Sequence, residues 1–352
     1  MIYIPVTMRL AFLRISRVQE GVLTMQRSRS APLALISCLV VLWGSWLSTA
    51  GAQSDDVERA YPLAPEGFDV RRDGAPQGNV ERIEYDSSVV DGKRPAIVYT
   101  PPGYSSDREY PVLYLLHGIG GNETHWTTPG LADAILDNLI AEGRAEPMIV
   151  VMPHGRASNE PETNLFGRGR GRGAGAGGPE SGGDAPDARA GAAPGGRGGP
   201  GGAGDAMAVE FEAYAAFERE LIDDLIPHIE AIYSVNGDRN YRALAGLSMG
   251  GGQSLNIGLG NLDVFAHVGG FSSAPNTMRP AELVPDPAQA SEMLEVLWVS
   301  CGDEDGLFDI SEGFHNYLAE NDVPHIWQID VGGHTFPVWK NDLYHFASLI
   351  FK

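Results

Sequence analysis

The chain is poor in cysteine, in basic side chains and in long apolar stretches, and each scarcity narrows what it can be. Two cysteines stand in 352 residues, too few for the disulfide framework on which small exported domains rely. One of them, Cys38, falls in a leader segment, so Cys301 is left without an intramolecular partner and a hydrophobic core must supply the stability. Lysine and arginine number 25 against 46 Asp and Glu, for a formal net charge of −21. A surface that acidic repels phosphate backbones and anionic bilayers, which excludes nucleic acid as a partner. The apolar run Ala31–Leu47 has 17 residues, at the lower limit for a bilayer span. It follows the basic stretch Met25-Gln-Arg-Ser-Arg29 and precedes the small residues Ala50-Gly51-Ala52, so residues 1–52 read as an export signal whose true start is Met25. Cleavage before Gln53 predicts a secreted or periplasmic protein with no stable membrane insertion.

Glycine, by contrast, is abundant, with 45 residues in all. Seventeen of the 38 residues from Gly167 to Gly204 are glycine, and a segment of that composition buries no core, so it is expected to be a disordered insertion. Its Gly-Arg pairs lack the preceding strand and following helix that a nucleotide-binding fingerprint needs. The expected organisation is a polar lead-in over 53–79 and one domain over 80–352 that carries this insertion.

Within that domain Val80–Tyr85 alternates as a half-exposed strand, and Arg94–Thr100 is a second strand that makes an antiparallel opening. Near-continuous apolar runs follow at Tyr110–Leu116, Pro147–Met152, Tyr241–Ala245, Phe265–Gly269, Leu294–Ser300 and His325–Ile329. Such runs belong to strands buried on both faces. Helical patterns separate them at Leu131–Ala141, Glu210–Ile232, Gly250–Gly258, Asp309–Asn321 and Asn341–Phe351. The alternation predicts an α/β fold, a doubly wound and mostly parallel sheet with helices on both faces.

The chemistry is carried by short segments at the ends of these strands. Gly246-Leu247-Ser248-Met249-Gly250 follows one apolar run directly and opens a helical pattern, the strand–turn–helix setting of a nucleophile elbow. Glycines flank the serine because a turn that tight leaves no room for side chains. A serine hydroxyl is a weak nucleophile at neutral pH, so it needs a base, and the base needs a third group to fix its tautomer. His334, in Val331-Gly-Gly-His334-Thr335 after the last predicted strand, is the candidate base. The acid is expected at the end of the preceding strand, where Cys301-Gly302-Asp303-Glu304-Asp305 offers Asp305 first and Asp303 second; spacing alone does not choose between them. The developing oxyanion calls for two backbone N–H groups, which are expected from Met249 and from Ile119 in the glycine-rich loop Leu115-Leu-His117-Gly-Ile119-Gly-Gly121. His117 precedes that loop and is expected to orient it. Trp126 and Trp339 are candidates to stack on an aromatic acyl group or a sugar, with packing in the core the alternative for both. No metal or organic cofactor is expected.

These segments together resemble the esterase D-like family of α/β hydrolases, which includes microbial feruloyl esterases and acetylxylan esterases. The resemblance is carried by Tyr114–Gly121, Ala243–Gln253, Ser273–Thr277, Cys301–Asp305 and Gly333–Lys340, in that order. It implies the α/β-hydrolase fold, a triad of Ser248, Asp305 and His334, and backbone donors at Ile119 and Met249. It favours Asp305 over Asp303, because the family's acid closes the motif that begins at Cys301-Gly302. It also implies hydrolysis of feruloyl or acetyl esters on plant cell-wall polysaccharide. The alternatives are acyl transfer to a sugar or lipid alcohol, and a non-catalytic carbohydrate-binding protein on the same fold.

Overall fold

The computed structural model describes residues 59–160 and 203–352. The predicted export signal and all but the last two residues of the predicted insertion lie outside these residues.

One eight-stranded sheet organises the chain. Its strands are β1 (Asn79–Ser87), β2 (Gly92–Thr100), β3 (Val112–Leu116), β4 (Ile149–Pro153), β5 (Arg242–Leu247), β6 (His267–Phe271), β7 (Val296–Gly302) and β8 (Ile326–Asp330), in the order β1-β2-β4-β3-β5-β6-β7-β8. β1 and β2 form an antiparallel hairpin, β2 pairs antiparallel with β4, and every later pairing is parallel. Successive residues of a strand face opposite sides of a sheet, and the central strands are apolar on both. Val112, Tyr114 and Leu116 of β3 join one core while Leu113 and Leu115 join the other. The first core is closed by Leu255 and Ile257 of α4 (Met249–Gly260) and by Phe314 and Leu318 of α7 (Phe308–Glu320). The second is closed by Ile135 and Leu139 of α1 (Ala132–Ala141) and by Leu343 and Phe346 of α8 (Phe336–Leu349). The parallel strands therefore end together on one edge of the sheet, where β3, β5, β7 and β8 deliver the candidate residues.

Two helices depart from expectation. The pattern predicts α8 from Asn341, but it starts at Phe336, immediately after the His334 loop. Pro337 interrupts the apolar period, yet it sits in the first turn, where its missing N–H has no intrahelical partner to lose. The single helix expected over Glu210–Ile232 is three segments: α2 (Ala203–Arg219), a π-helical stretch (Glu220–Leu225) and α3 (Ile226–Ile232). Pro227 has no N–H to give the Asp223 carbonyl, and the Ile226 N–H reaches back to Leu221 instead. The short helices α5 (Pro280–Leu283) and α6 (Pro287–Met293) were not anticipated.

The lead-in straps the second core from outside. Gln328 brackets Tyr61, accepting from its N–H at 2.8 Å and donating to its carbonyl at 3.1 Å. Asn341 accepts from the Ala64 N–H at 2.7 Å, and Asn138 donates to the Phe68 and Val70 carbonyls. Beneath the strap lie two buried acids: Asp330 accepts from Gln328 and Asn341, and Asp342 accepts from the Trp298 indole at 3.2 Å. Burial first, and then the neighbouring Asp330, pushes the Asp342 carboxyl well above the ordinary carboxylate range. The folded state therefore keeps a proton that the unfolded chain releases, so this group costs stability increasingly as pH rises above the unfolded carboxylate range. Asp342→Asn is expected to raise Tm at pH 8 and to change it much less at pH 4, as read by thermal melts at both. An equal shift at the two pH values would show that the Asp342 proton is not linked to folding.

Candidate active site

Ser248 is the single residue between β5 and α4. Its φ of 56° and ψ of −120° place a non-glycine residue in a strained region, and the surroundings leave it no other course. Its N–H donates to the Phe271 carbonyl at 2.9 Å and its own carbonyl accepts from Ala274 at 3.1 Å. Backbone closes in on both sides. A Cβ on Gly246 would lie 2.5 Å from the Gly250 carbonyl oxygen, and one on Gly250 would lie 2.4 Å from that of His117. The flanking glycines are there because helix, strand and the β3 end touch main chain to main chain.

The loop between β8 and α8 brings His334 over this serine, with Nε2 2.8 Å from Ser248 Oγ and Nδ1 2.8 Å from Asp305 Oδ2. An ionised carboxylate only accepts, so Nδ1 carries the proton and Nε2 is free to accept the serine hydroxyl. Burial alone would raise the Asp305 carboxyl; hydrogen bonds from His334 and the Leu307 N–H, with the His334 charge, overcome that and hold it below its ordinary value. The carboxylate that meets His334 is thus that of Asp305. Asp303 does something else: its Oδ1 accepts from the Gly332 N–H at 2.8 Å and pins the loop that presents His334.

The loop after β3 lies directly against the serine, since a Cβ on Gly118 would come within 2.8 Å of Ser248 Cβ. Among the described residues neither the Ile119 nor the Met249 amide has a hydrogen-bond acceptor. Met249 opens α4, where amides have no intrahelical partner. His117 is buried, with Nε2 accepting from Gly155 N–H at 3.1 Å, which leaves Nδ1 to donate to the Gly118 carbonyl at 2.7 Å. Burial, and then the charge of His154, lowers its pKa to about 3, so the imidazole stays neutral and keeps this tautomer. The expectation that it orients the loop, and is not itself the base at the serine, agrees with this placement.

Both tryptophans take the second of their two expected places, in the core. Trp126 is 1% exposed, its indole N–H donates to the Leu116 carbonyl at 2.9 Å, and Phe271 and Phe336 pack against its ring. It holds the end of β3 and has no face to offer a ligand. Trp339 is also buried and meets the His334 ring edge-on at 4.9 Å, so it supports the imidazole. The apolar side chains next to the elbow form instead a small cluster in which half-buried Ile119, Phe211 and Leu307 pack on Tyr214, Met249 and Ala274; Met249 follows Ser248 directly and the Ala274 N–H donates to the Ser248 carbonyl. Phe211 and Tyr214 belong to α2, and nothing in the sequence linked that helix to the site; the contact is long-range and leaves no local signature.

Among the described residues no three His, Cys, Asp or Glu side chains are grouped to hold a metal ion, and no helix is long and apolar enough to cross a membrane.

Known proteins resemble this chain in sequence and in fold. An endo-1,4-beta-xylanase/feruloyl esterase of Xylanibacter ruminicola is 30% identical over 296 residues, 83% of this chain and 34% of that protein. The chain thus spans about a third of that relative's length. A ferulic acid esterase of Anaeromyces mucronatus, solved in complex with ferulic acid, superposes with a TM-score of 0.62 at 26% identity, covering 82% of this chain and 96% of the other. An S-formylglutathione hydrolase of Staphylococcus aureus superposes with a TM-score of 0.52 at 17% identity, over 78% of this chain and 96% of that one, which speaks for the shared α/β-hydrolase fold alone. The family model described as "Putative esterase" matches residues 87–180 and 198–306, stretches that include the loop after β3, the elbow and Asp305. With more than half of its length matched in this way, the chain belongs to that esterase family.

Proposed function

We propose that this protein is an exported serine esterase that removes feruloyl or acetyl groups from plant cell-wall polysaccharide through an acyl-enzyme. The observation that carries the reading is the unbroken relay from Ser248 Oγ to His334 to Asp305, each contact at 2.8 Å, on a strained elbow with the Gly118 loop pressed against it. Ser248 attacks the ester carbonyl as its proton passes to His334 Nε2, and Asp305 stabilises the imidazolium that forms. The carbonyl oxygen, now an oxyanion, accepts from the Ile119 and Met249 amides. Collapse of this intermediate expels the alcohol, which takes the proton from His334. Water then attacks the acyl-enzyme with His334 again as base, releasing the acid and restoring Ser248. The apolar cluster of Ile119, Phe211 and Leu307 next to the elbow suits a flat aromatic acyl group, and the feruloyl and ferulic acid esterase activities of the Xylanibacter and Anaeromyces relatives point to the same class of ester.

Hydrolysis of methyl ferulate, acetylated xylan and 4-nitrophenyl acetate, with and without an added alcohol acceptor, tests the reading. Release of ferulate is the expected result. Turnover of acetyl esters alone would move the assignment to deacetylation; acyl product found only on the acceptor would make the protein a transferase, and no turnover of any kind would favour a binding protein.

A further inference from the structure

Resting on that reading of Ser248 and Ile119, we infer that Tyr214 is a positioning residue that aims the Ile119 amide at the oxyanion by holding the Gly118 carbonyl from behind. In a trans peptide the C=O of one residue and the N–H of the next point in opposite directions. Whatever fixes the Gly118 oxygen therefore fixes the Ile119 N–H. Three donors converge on that oxygen: His117 Nδ1 at 2.7 Å, Gly121 N–H at 3.1 Å and the Tyr214 hydroxyl at 3.2 Å. The first two belong to the same loop and would move with it. Of the three, Tyr214 alone reaches in from another element, the middle of α2.

Tyr214 is itself held, through its main chain, in a closed circuit. Gln253, on the helix that begins just after Ser248, donates through Nε2 to the Tyr214 carbonyl at 2.6 Å and to the Gly155 carbonyl at 2.8 Å. Gly155 N–H donates to His117 Nε2, and His117 Nδ1 returns to Gly118. The loop after β3, the loop after β4, α2 and α4 are thus locked to one another by three side chains, all of them buried. One helical turn before Tyr214, Glu210 anchors α2 through a buried ion pair with Arg156, Oε2 to Nε at 2.6 Å. Nothing in this circuit touches the substrate carbon. Its effect is on where a donor points, and donors preorganised at the developing charge act on the transition state more than on the bound ester.

Tyr214→Phe keeps the ring and removes the hydroxyl. Deleting an oxyanion donor outright costs about 10²–10³ in rate, so freeing the loop that carries one is expected to lower kcat on 4-nitrophenyl acetate about tenfold, with KM changed less than about twofold. Inhibition by phenylboronic acid, whose tetrahedral adduct with the serine imitates the intermediate, should weaken by the same factor, while inhibition by the product acetate stays as in the parent. A merely structural role would not separate these two inhibitors. A raised KM with kcat unchanged, equal weakening of both inhibitors, or parent kcat would each overturn the inference. Were Tyr214→Phe to lose its fold, Tyr214→Met, which also lacks the donor, is judged by the same measurements. Ser248→Ala run alongside distinguishes the two levels: turnover surviving there overturns the nucleophile reading itself, whereas a dead Ser248→Ala beside an unimpaired Tyr214→Phe overturns the role of Tyr214 alone.

Discussion

Ser248→Ala is expected to reduce kcat on any turned-over ester by about 10⁴-fold or more, as removal of a triad nucleophile does, with Tm equal to or slightly above that of the parent. The two halves of this expectation have separate origins. The rate loss follows because His334 Nε2 would face a methyl group in place of the hydroxyl it now meets at 2.8 Å, leaving only the amide donors and substrate binding to act. The stability follows because the elbow is held by main chain: the Phe271, Ala274 and Gly252 bonds to residue 248 do not involve the hydroxyl, and alanine accepts a φ of 56° no worse than serine does. Sites of this kind give up stability for reactivity, so the substitution removes a buried hydroxyl without unsettling the turn. Assay of purified variant beside a thermal melt checks both parts. Parent-like turnover would remove Ser248 from the chemistry, and a melt several degrees lower would mean that the hydroxyl is part of the packing.

What sequence made legible and what it left dark divides along a physical line. The strands could be read because each is short, apolar and bounded by turn residues, and the elbow could be read because its glycines answer a local steric demand that Gly246 and Gly250 now display as main-chain contact. The meeting of His334 with Asp305 was anticipated from the order of strand ends, although Asp303 could not be set aside by spacing; its separate task, holding Gly332, depends on a loop crossing that no local pattern encodes. Trp126 and Trp339 could not be settled from sequence. Nearness to the loop and to His334 suits a ligand platform and a buried support equally, and only the packing decides for support, of Leu116 and of His334. The start of α8 lies five residues before the expected Asn341, with Pro337 in its first turn, where a proline fits a helix as well as it ends one. Most hidden of all was α2, whose Phe211, Tyr214 and Glu210 reach the site only through tertiary packing.

The largest loss of stability is expected from Glu220→Ala, about 3–5 kcal/mol in urea-induced unfolding. Glu220 stands at the head of the π-helical stretch and is fully buried. One carboxylate oxygen takes the Tyr85 hydroxyl at 2.5 Å and Arg94 Nε at 3.1 Å, and the other takes the Ser87 hydroxyl at 2.8 Å. Removing the carboxylate strands a guanidinium whose side chain is only 8% exposed, together with two hydroxyls, and an unpaired buried cation costs far more than the pair contributed. Glu220→Gln restores an acceptor without the charge and should fall between the parent and alanine. The consequence reaches the site, because the same guanidinium donates through Nη2 to the carbonyls of His154 and Arg156 and so holds the peptide flanks of Gly155, the residue that sets the His117 tautomer. Glu220→Ala is therefore expected to lose rate as well as stability, in protein that is still folded at 25 °C, whereas a variant of normal stability and normal rate would mean that Arg94 finds another counter-charge and that the β1–β2 hairpin does not need the π-helical turn to hold it.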